Sequence, residues 1–157
     1  MKTKVLLLSA LLLLLLTATV SAKPVITADS TYFDINSGHY VLNGNVRVEV
    51  GSRIITAGNA RVSLTSREVW GYDGITVTQD DIYFTGDSVY VEGGRRSAQI
   101  DGSVNFSRSD LQISANQATY NWKTKLATFN GNVRVTQNGS TWTADSVEYN
   151  INTNTIL

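Results

Sequence analysis

Along most of this chain, apolar and polar side chains alternate one for one. In Asn45-Val46-Arg47-Val48-Glu49-Val50 the valines share one face, and Asn45, Arg47 and Glu49 share the other. That is the pattern of a half-buried strand. No stretch after residue 22 places apolar residues at helical spacing, and Thr, Val, Tyr and Ile are plentiful, as strands prefer. The alternation also recurs on a longer scale. Asn43-Gly44-Asn45-Val46-Arg47-Val48 returns unchanged as Asn130-Gly131-Asn132-Val133-Arg134-Val135, and Thr27-Ala28-Asp29-Ser30 returns as Thr143-Ala144-Asp145-Ser146. Both offsets are multiples of 29 residues, so the chain reads as a repeat.

Stacked at that period without gaps, Ile26, Ile55, Phe84, Ile113 and Trp142 form one large apolar column. Val46, Ile75, Val104 and Val133 form a second, and Val48, Val77, Phe106 and Val135 a third. The inward parity set by Ile26 and Ala28 reverses by Thr31, Phe33 and Ile35, and the same reversal follows Ala57, Gly86, Ala115 and Ala144. A side-chain period of two cannot change phase without an extra residue, so a bulge or bend is expected at Asp29-Ser30 and its equivalents. A second break is expected at Gly44, Gly102 and Gly131, with Asp73-Gly74 shifted by one position. Turn residues punctuate each unit twice, at sites such as Asn36-Ser37-Gly38 and Asn138-Gly139. Each unit is therefore two bent antiparallel strands. Stacked in register, they make an all-β fold of two facing sheets with the inward columns between them. Such a stack does not close on itself, so its first and last strands are expected to be open edges, the last of them near Val147–Tyr149.

The first 22 residues break the pattern. Lys2 and Lys4, the apolar run Val5–Leu16 and the small residues Val20-Ser21-Ala22 read as a secretory signal peptide cleaved after Ala22. The expected organisation is thus residues 1–22 as signal peptide and 23–157 as one exported domain. Pro24 precedes the first strand, where it removes no ladder hydrogen bond.

Charge and composition then narrow the function. Without Lys2 and Lys4, 11 basic and 13 acidic residues remain, a net charge of −2. That gives no bulk attraction to nucleic acid or to an anionic membrane surface. There is no cysteine, hence no thiol nucleophile and no cysteine-held metal. The single histidine, His39, adjoins the Ser37-Gly38 turn and reads as a solvated loop residue. Asp29, Asp87 and Asp145 recur by period, but Gly58 and Asn116 share their column and no further oxygen ligands flank them. A corner role, bonding nearby amides, fits them better than calcium. No Gly-x-Ser-x-Gly elbow is present. Neither a catalytic site nor a metal or other cofactor is expected.

The informative chemistry is the inward face. Bulky Phe84, Trp142, Phe106 and Tyr120 mix with Thr31, Ala60, Gly93 and Ala118. Such a mixture either fills the space between the sheets or leaves an apolar groove for acyl chains, and pattern alone does not separate these. The candidate lining is Ile26, Ile55, Phe84, Ile113, Trp142, Phe33, Val46, Val48, Ile75, Val77, Val104, Phe106, Tyr120, Val133 and Val135. Arg47, Arg95, Arg96, Lys123 and Lys125 are candidates for phosphates at a groove mouth, with a solvated rim as their simpler role.

Ile26-Thr27-Ala28-Asp29 with Leu42-Asn43-Gly44-Asn45-Val46 carries a family resemblance, as does Ala115-Asn116-Gln117-Ala118-Thr119-Tyr120 with Phe129-Asn130-Gly131-Asn132-Val133. Over nearly all of residues 23–157 the chain resembles the LptA/OstA-type proteins of periplasmic lipopolysaccharide transport. It departs from them in a shorter C-terminus and an unusually regular repeat. The resemblance implies a twisted β-jellyroll in the periplasm, whose groove shelters the acyl chains of lipid A. It also implies end-to-end joining, both with itself and with an inner-membrane LptC-like and an outer-membrane LptD-like jellyroll domain. The alternative is a structural or adhesive β-repeat module with a filled core and no lipid.

Overall fold

The computed structural model describes residues 25–157, with the backbone alone at residue 50; the expected signal peptide and Pro24 lie outside these residues. Twelve strands appear in chain order: β1 (Val25–Thr27), β2 (Ser30–Asp34), β3 (His39–Val50), β4 (Arg53–Ser63), β5 (Glu68–Gln79), β6 (Ile82–Gly86), β7 (Ser88–Glu92), β8 (Ser97–Arg108), β9 (Leu111–Asn121), β10 (Leu126–Gln137), β11 (Ser140–Asn150) and β12 (Thr155–Ile156). They pair antiparallel in the order β1-β3-β4-β5-β6-β8-β9-β10-β11-β12, with β2 on β3 and β7 between β5 and β8. The pairs β1/β2 and β6/β7 occupy the places of single bent strands, each broken outright at the bend. The strands fold over into two leaves. The first leaf carries the columns of Ile55, Val77 and Phe106, and the second carries Leu42, Val62, Ile100 and Phe129.

The two expected breaks are one corner. Asn43 faces Asn59 and Val46 faces Ala57, so Gly44 and Asn45 together oppose the single residue Gly58. Gly102-Ser103 and Gly131-Asn132 repeat this two-against-one bulge, and Asp73-Gly74 forms its counterpart on β5. The extra residue thus lies on the strand opposite Asp29 and its equivalents. Both bulge residues take positive φ, +75° and 48° at Gly44 and Asn45, which suits Gly and Asn. Asp29 explains why the first must be glycine. Its backbone N–H donates to the Gly44 carbonyl (2.9 Å), its carboxylate accepts from Asn45 Nδ2 (2.9 Å), and a Cβ on Gly44 would collide with that carboxylate. Asp87 stands against Gly102 in the same way.

The space between the leaves is filled unevenly. Toward the C-terminus a continuous core includes Phe106, Ile113, Phe129, Val133, Val135 and Tyr149, each no more than 1% exposed. Toward the N-terminus a smaller core holds only Leu42, Val46, Ala60 and Val62 fully buried. The last edge is also partly covered, contrary to the expectation of an open strand at Val147–Tyr149. Strand β12 folds back and pairs with Tyr149 and Asn150. Among the described residues, residues 140–146 of β11 have no strand on their outer side, nor do β1 and β2 at the other end.

Candidate functional site

A cavity of about 160 Å³ lies between the leaves in the N-terminal half. Its walls are almost wholly apolar. Small side chains help make the space: Ala57, Ala60, Gly71 and Ala98 line it, and Gly71 and Val77 stand where the C-terminal half carries Phe129 and Phe106. There Phe84, Phe106, Phe129 and Tyr149 interlock, with centroids 4.7 Å apart for Phe84–Phe106, 5.6 Å for Phe106–Phe129 and 5.4 Å for Phe106–Tyr149. Tilted aromatic packing at these separations leaves no room for a guest. Phe84 belongs to both halves, closing the cavity at one end.

Of the candidate lining residues, Ile26, Val46, Val48, Ile55, Val77, Phe84 and Tyr120 do face the cavity. Ile75, Val104, Phe106, Ile113, Val133 and Val135 do not; they are locked in the filled core, at most 1% exposed. Trp142 continues the Ile26 column to the last full strand, where no further strand covers it, and it is 41% exposed. Phe33 is 51% exposed on the first edge, against Tyr40 at 5.0 Å. Sequence reasoning missed most of the second leaf: Leu42, Val62, Val69, Val89, Val91 and Ile100 also line the space. The reversed parity after each corner was their signal.

The candidate rim cations lie elsewhere. Arg47 pairs with Glu49 (3.4 Å) and Arg95 with Glu92 (3.2 Å). Arg96, Lys123 and Lys125 sit exposed at turns. None of the five lines the cavity. Arg53 does, with its Nε donating to Gln79 Oε1 (3.0 Å). Tyr120 reaches the same space from the second leaf; burial raises the pKa of its phenol, and the Arg53 charge partly offsets that. Farther along, Arg108 ties the leaves together. It donates to Tyr149 Oη (3.1 Å) and the Ile151 carbonyl (2.5 Å) and pairs with Asp81 (3.1 Å).

His39 is not a loop residue. It begins β3, packs at a tilt against Trp70 at 5.2 Å, and its buried Nδ1 has no hydrogen-bond partner among the described residues. Asp29 and Asp87 serve the corners, as above. Among the described residues no group of three or more His, Cys, Asp or Glu is placed to hold a metal.

The fold is a twisted antiparallel jellyroll, packed at one end and enclosing an apolar cavity at the other. The chain belongs to the LptA/(LptD N-terminal domain) LPS transport protein family, whose model matches residues 25–155. In structure it is similar to LptH, the LptA-homologous periplasmic component of the conserved lipopolysaccharide transport device from Pseudomonas aeruginosa. The two superpose with a TM-score of 0.56 at 15% identity, over 62% of this chain and 75% of that one. No curated protein matches it in sequence.

Proposed function

We propose that this protein carries lipopolysaccharide across the periplasm, sheltering the acyl chains of lipid A in the N-terminal groove and forming part of a bridge from the inner to the outer membrane. The observation that carries the reading is the contrast between the two halves of one repeat. The columns that carry Phe106, Phe129 and Tyr149 in the packed half carry Val48 and Val77, Gly71, and Val62 and Val91 around empty apolar space in the other. A module selected only for stability gains nothing from such space, because unfilled apolar volume costs contacts. At about 160 Å³ the groove lies below the roughly 300–1,000 Å³ of typical ligand sites. Taking up several acyl chains therefore requires the leaves to part at the N-terminal end, where the buried core is small.

The bridge reading is supported by the uncovered edges. Strand addition would join residues 140–146 of one copy to β1 and β2 of the next, or to an LptC-like or LptD-like domain. The apolar residues Val25, Tyr32, Phe33 and Trp142 stand exposed on those edges. A photo-crosslinking residue at Ile55 is expected to capture lipopolysaccharide in cells, and one at the outward-facing Tyr83 is not. Equal capture at both sites, or none at Ile55, rejects the groove. Proline placed singly at Thr141, Trp142 and Thr143 tests the edge. A position whose N–H faces outward should abolish concentration-dependent growth in light scattering while leaving the fold intact. Undiminished growth in every folded variant would place the contact elsewhere.

A further inference from the structure

The cavity has one charged wall residue, and the repeat makes it anomalous. Arg53 shares its column with Ile82, Leu111 and Ser140. Ile82 also lines the cavity, and Leu111 is 3% exposed in the filled core. At Arg53, a column that is apolar in the next two units carries a guanidinium.

Burying a charge without a partner is costly, so an inward arginine normally finds an acceptor. Arg108 shows the ordinary solution. It also sits where the leaves come together, and Tyr149, the Ile151 carbonyl and Asp81 engage it. Arg53 has only the neutral Gln79 side chain on its Nε, and no carboxylate pairs with it among the described residues. Its terminal nitrogens, at the half-exposed start of β4, have no hydrogen-bond partner among the described residues and are open to a ligand. Tyr120 and Trp122, each with a polar tip on an aromatic body, line the cavity from the facing leaf.

We propose that Arg53 marks the headgroup end of the groove and binds a phosphate of the bound lipid, whose acyl chains then run along Ile55, Val77 and Phe84. This inference rests on the lipid-carrier reading above and adds to it a polarity of binding and a requirement for an anionic group. A guanidinium held at Nε presents its remaining N–H groups as a fork, the geometry that phosphate oxygens accept in pairs. The neutral Gln79 holds the fork without competing for its charge.

The test compares lipid A with chemically dephosphorylated lipid A, each displacing a fluorescent lipopolysaccharide from the purified protein and from its Arg53→Leu and Arg53→Lys variants. Arg53→Leu places an apolar residue where the next two units have one, so the variant is expected to fold; a thermal melt checks this. The wild type should prefer lipid A by about ten- to a hundredfold, the equivalent of one charge-assisted hydrogen-bond pair. Arg53→Leu should erase that preference while binding the dephosphorylated lipid at least as well, and Arg53→Lys should keep part of it. Millimolar inorganic phosphate should displace neither lipid; displacement of lipid A by it would show a free-anion site in place of a headgroup site. If the wild type binds both lipids equally, or Arg53→Leu weakens both alike, the assignment of Arg53 fails and the carrier reading stands. If the wild type binds neither lipid, the carrier reading fails, and this proposal with it.

Discussion

Phe106 and Ile55 occupy neighbouring inward columns of the first leaf, yet truncating them to alanine should have very different consequences. Phe106 is 1% exposed and touches three aromatic rings: Phe84, Phe129 and Tyr149. Phe106→Ala opens a cavity in a rigid core and should cost about 3–5 kcal/mol. A domain of this size has roughly 5–15 kcal/mol in all. The melting temperature should therefore fall by roughly 10–20 °C. Ile55 already faces empty space, so its truncation removes apolar burial but few packing contacts. Three carbons at about 0.8 kcal/mol each when fully buried, halved for a half-buried side chain, give about 1 kcal/mol and a shift of a few degrees. Thermal and urea melts followed by circular dichroism measure both. Lipopolysaccharide binding should rank the two the other way, with folded Phe106→Ala still binding and Ile55→Asp failing to. If Ile55→Ala destabilised the protein as much as Phe106→Ala, the N-terminal half would be a packed core and the groove would not exist.

Other outcomes follow from single contacts. The Glu68 carboxylate accepts the Tyr90 hydroxyl and raises the phenol's pKa to about 12. The folded state then holds a proton that the unfolded chain releases near pH 10, so stability falls as pH rises from about 10 toward 12. Glu68 itself is lowered, by the Ser66 hydroxyl and then by Tyr90, so its contribution is present above its unfolded pKa and is lost as the pH falls below it. Urea titrations at stepped pH should show Tyr90→Phe flattening the alkaline limb relative to wild type; an unchanged limb would assign that loss to other tyrosines. Arg108→Met should lower stability by about 2–3 kcal/mol, because it strips charge-assisted bonds from Tyr149 and the Ile151 carbonyl, whereas Asp81→Asn should cost under about 1 kcal/mol. Equal losses in urea midpoint would move the weight of that latch onto the exposed ion pair. Gly102→Ala should cost about 2 kcal/mol or more, since φ is +78° and the new methyl meets the Asp87 carboxylate. Asp87→Ala should recover part of that loss in the double variant, and strict additivity would exclude the steric contact.

Much of the fold was legible because the code of a repeat is local. Alternation at Val46, Val48 and their equivalents sets the strands. The phase reversal between Ala57 and Ala60 places the corner, and the Gly-Asn and Asp-Gly pairs supply the backbone conformation that the corner needs. What remained hidden depended on partners far apart in sequence. Gly44 and Asp29 each signalled a break, but only the pairing of β1, β2 and β3 makes the two breaks one corner. His39 read as a loop residue because its turn is visible in sequence, whereas Trp70, which packs against it, belongs to another unit.

The site divides in the same way. The sequence by itself determined that one face of every strand is apolar, and that Ile26, Ile55, Phe84, Ile113 and Trp142 stand in one line. It did not distinguish their fates, because within the repeat they are equivalent. Tertiary structure broke that equivalence. Phe106 of the first leaf meets Phe129 and Tyr149 of the second, from later units, so side-chain volumes add across the gap. Large rings meet large rings around Phe106 and fill it. Small residues such as Ala60 and Gly71 leave space beside Ile55, and at Trp142 no further strand arrives to cover the ring. A column pattern records which way a side chain points; only the packed pair records how much room remains between the two.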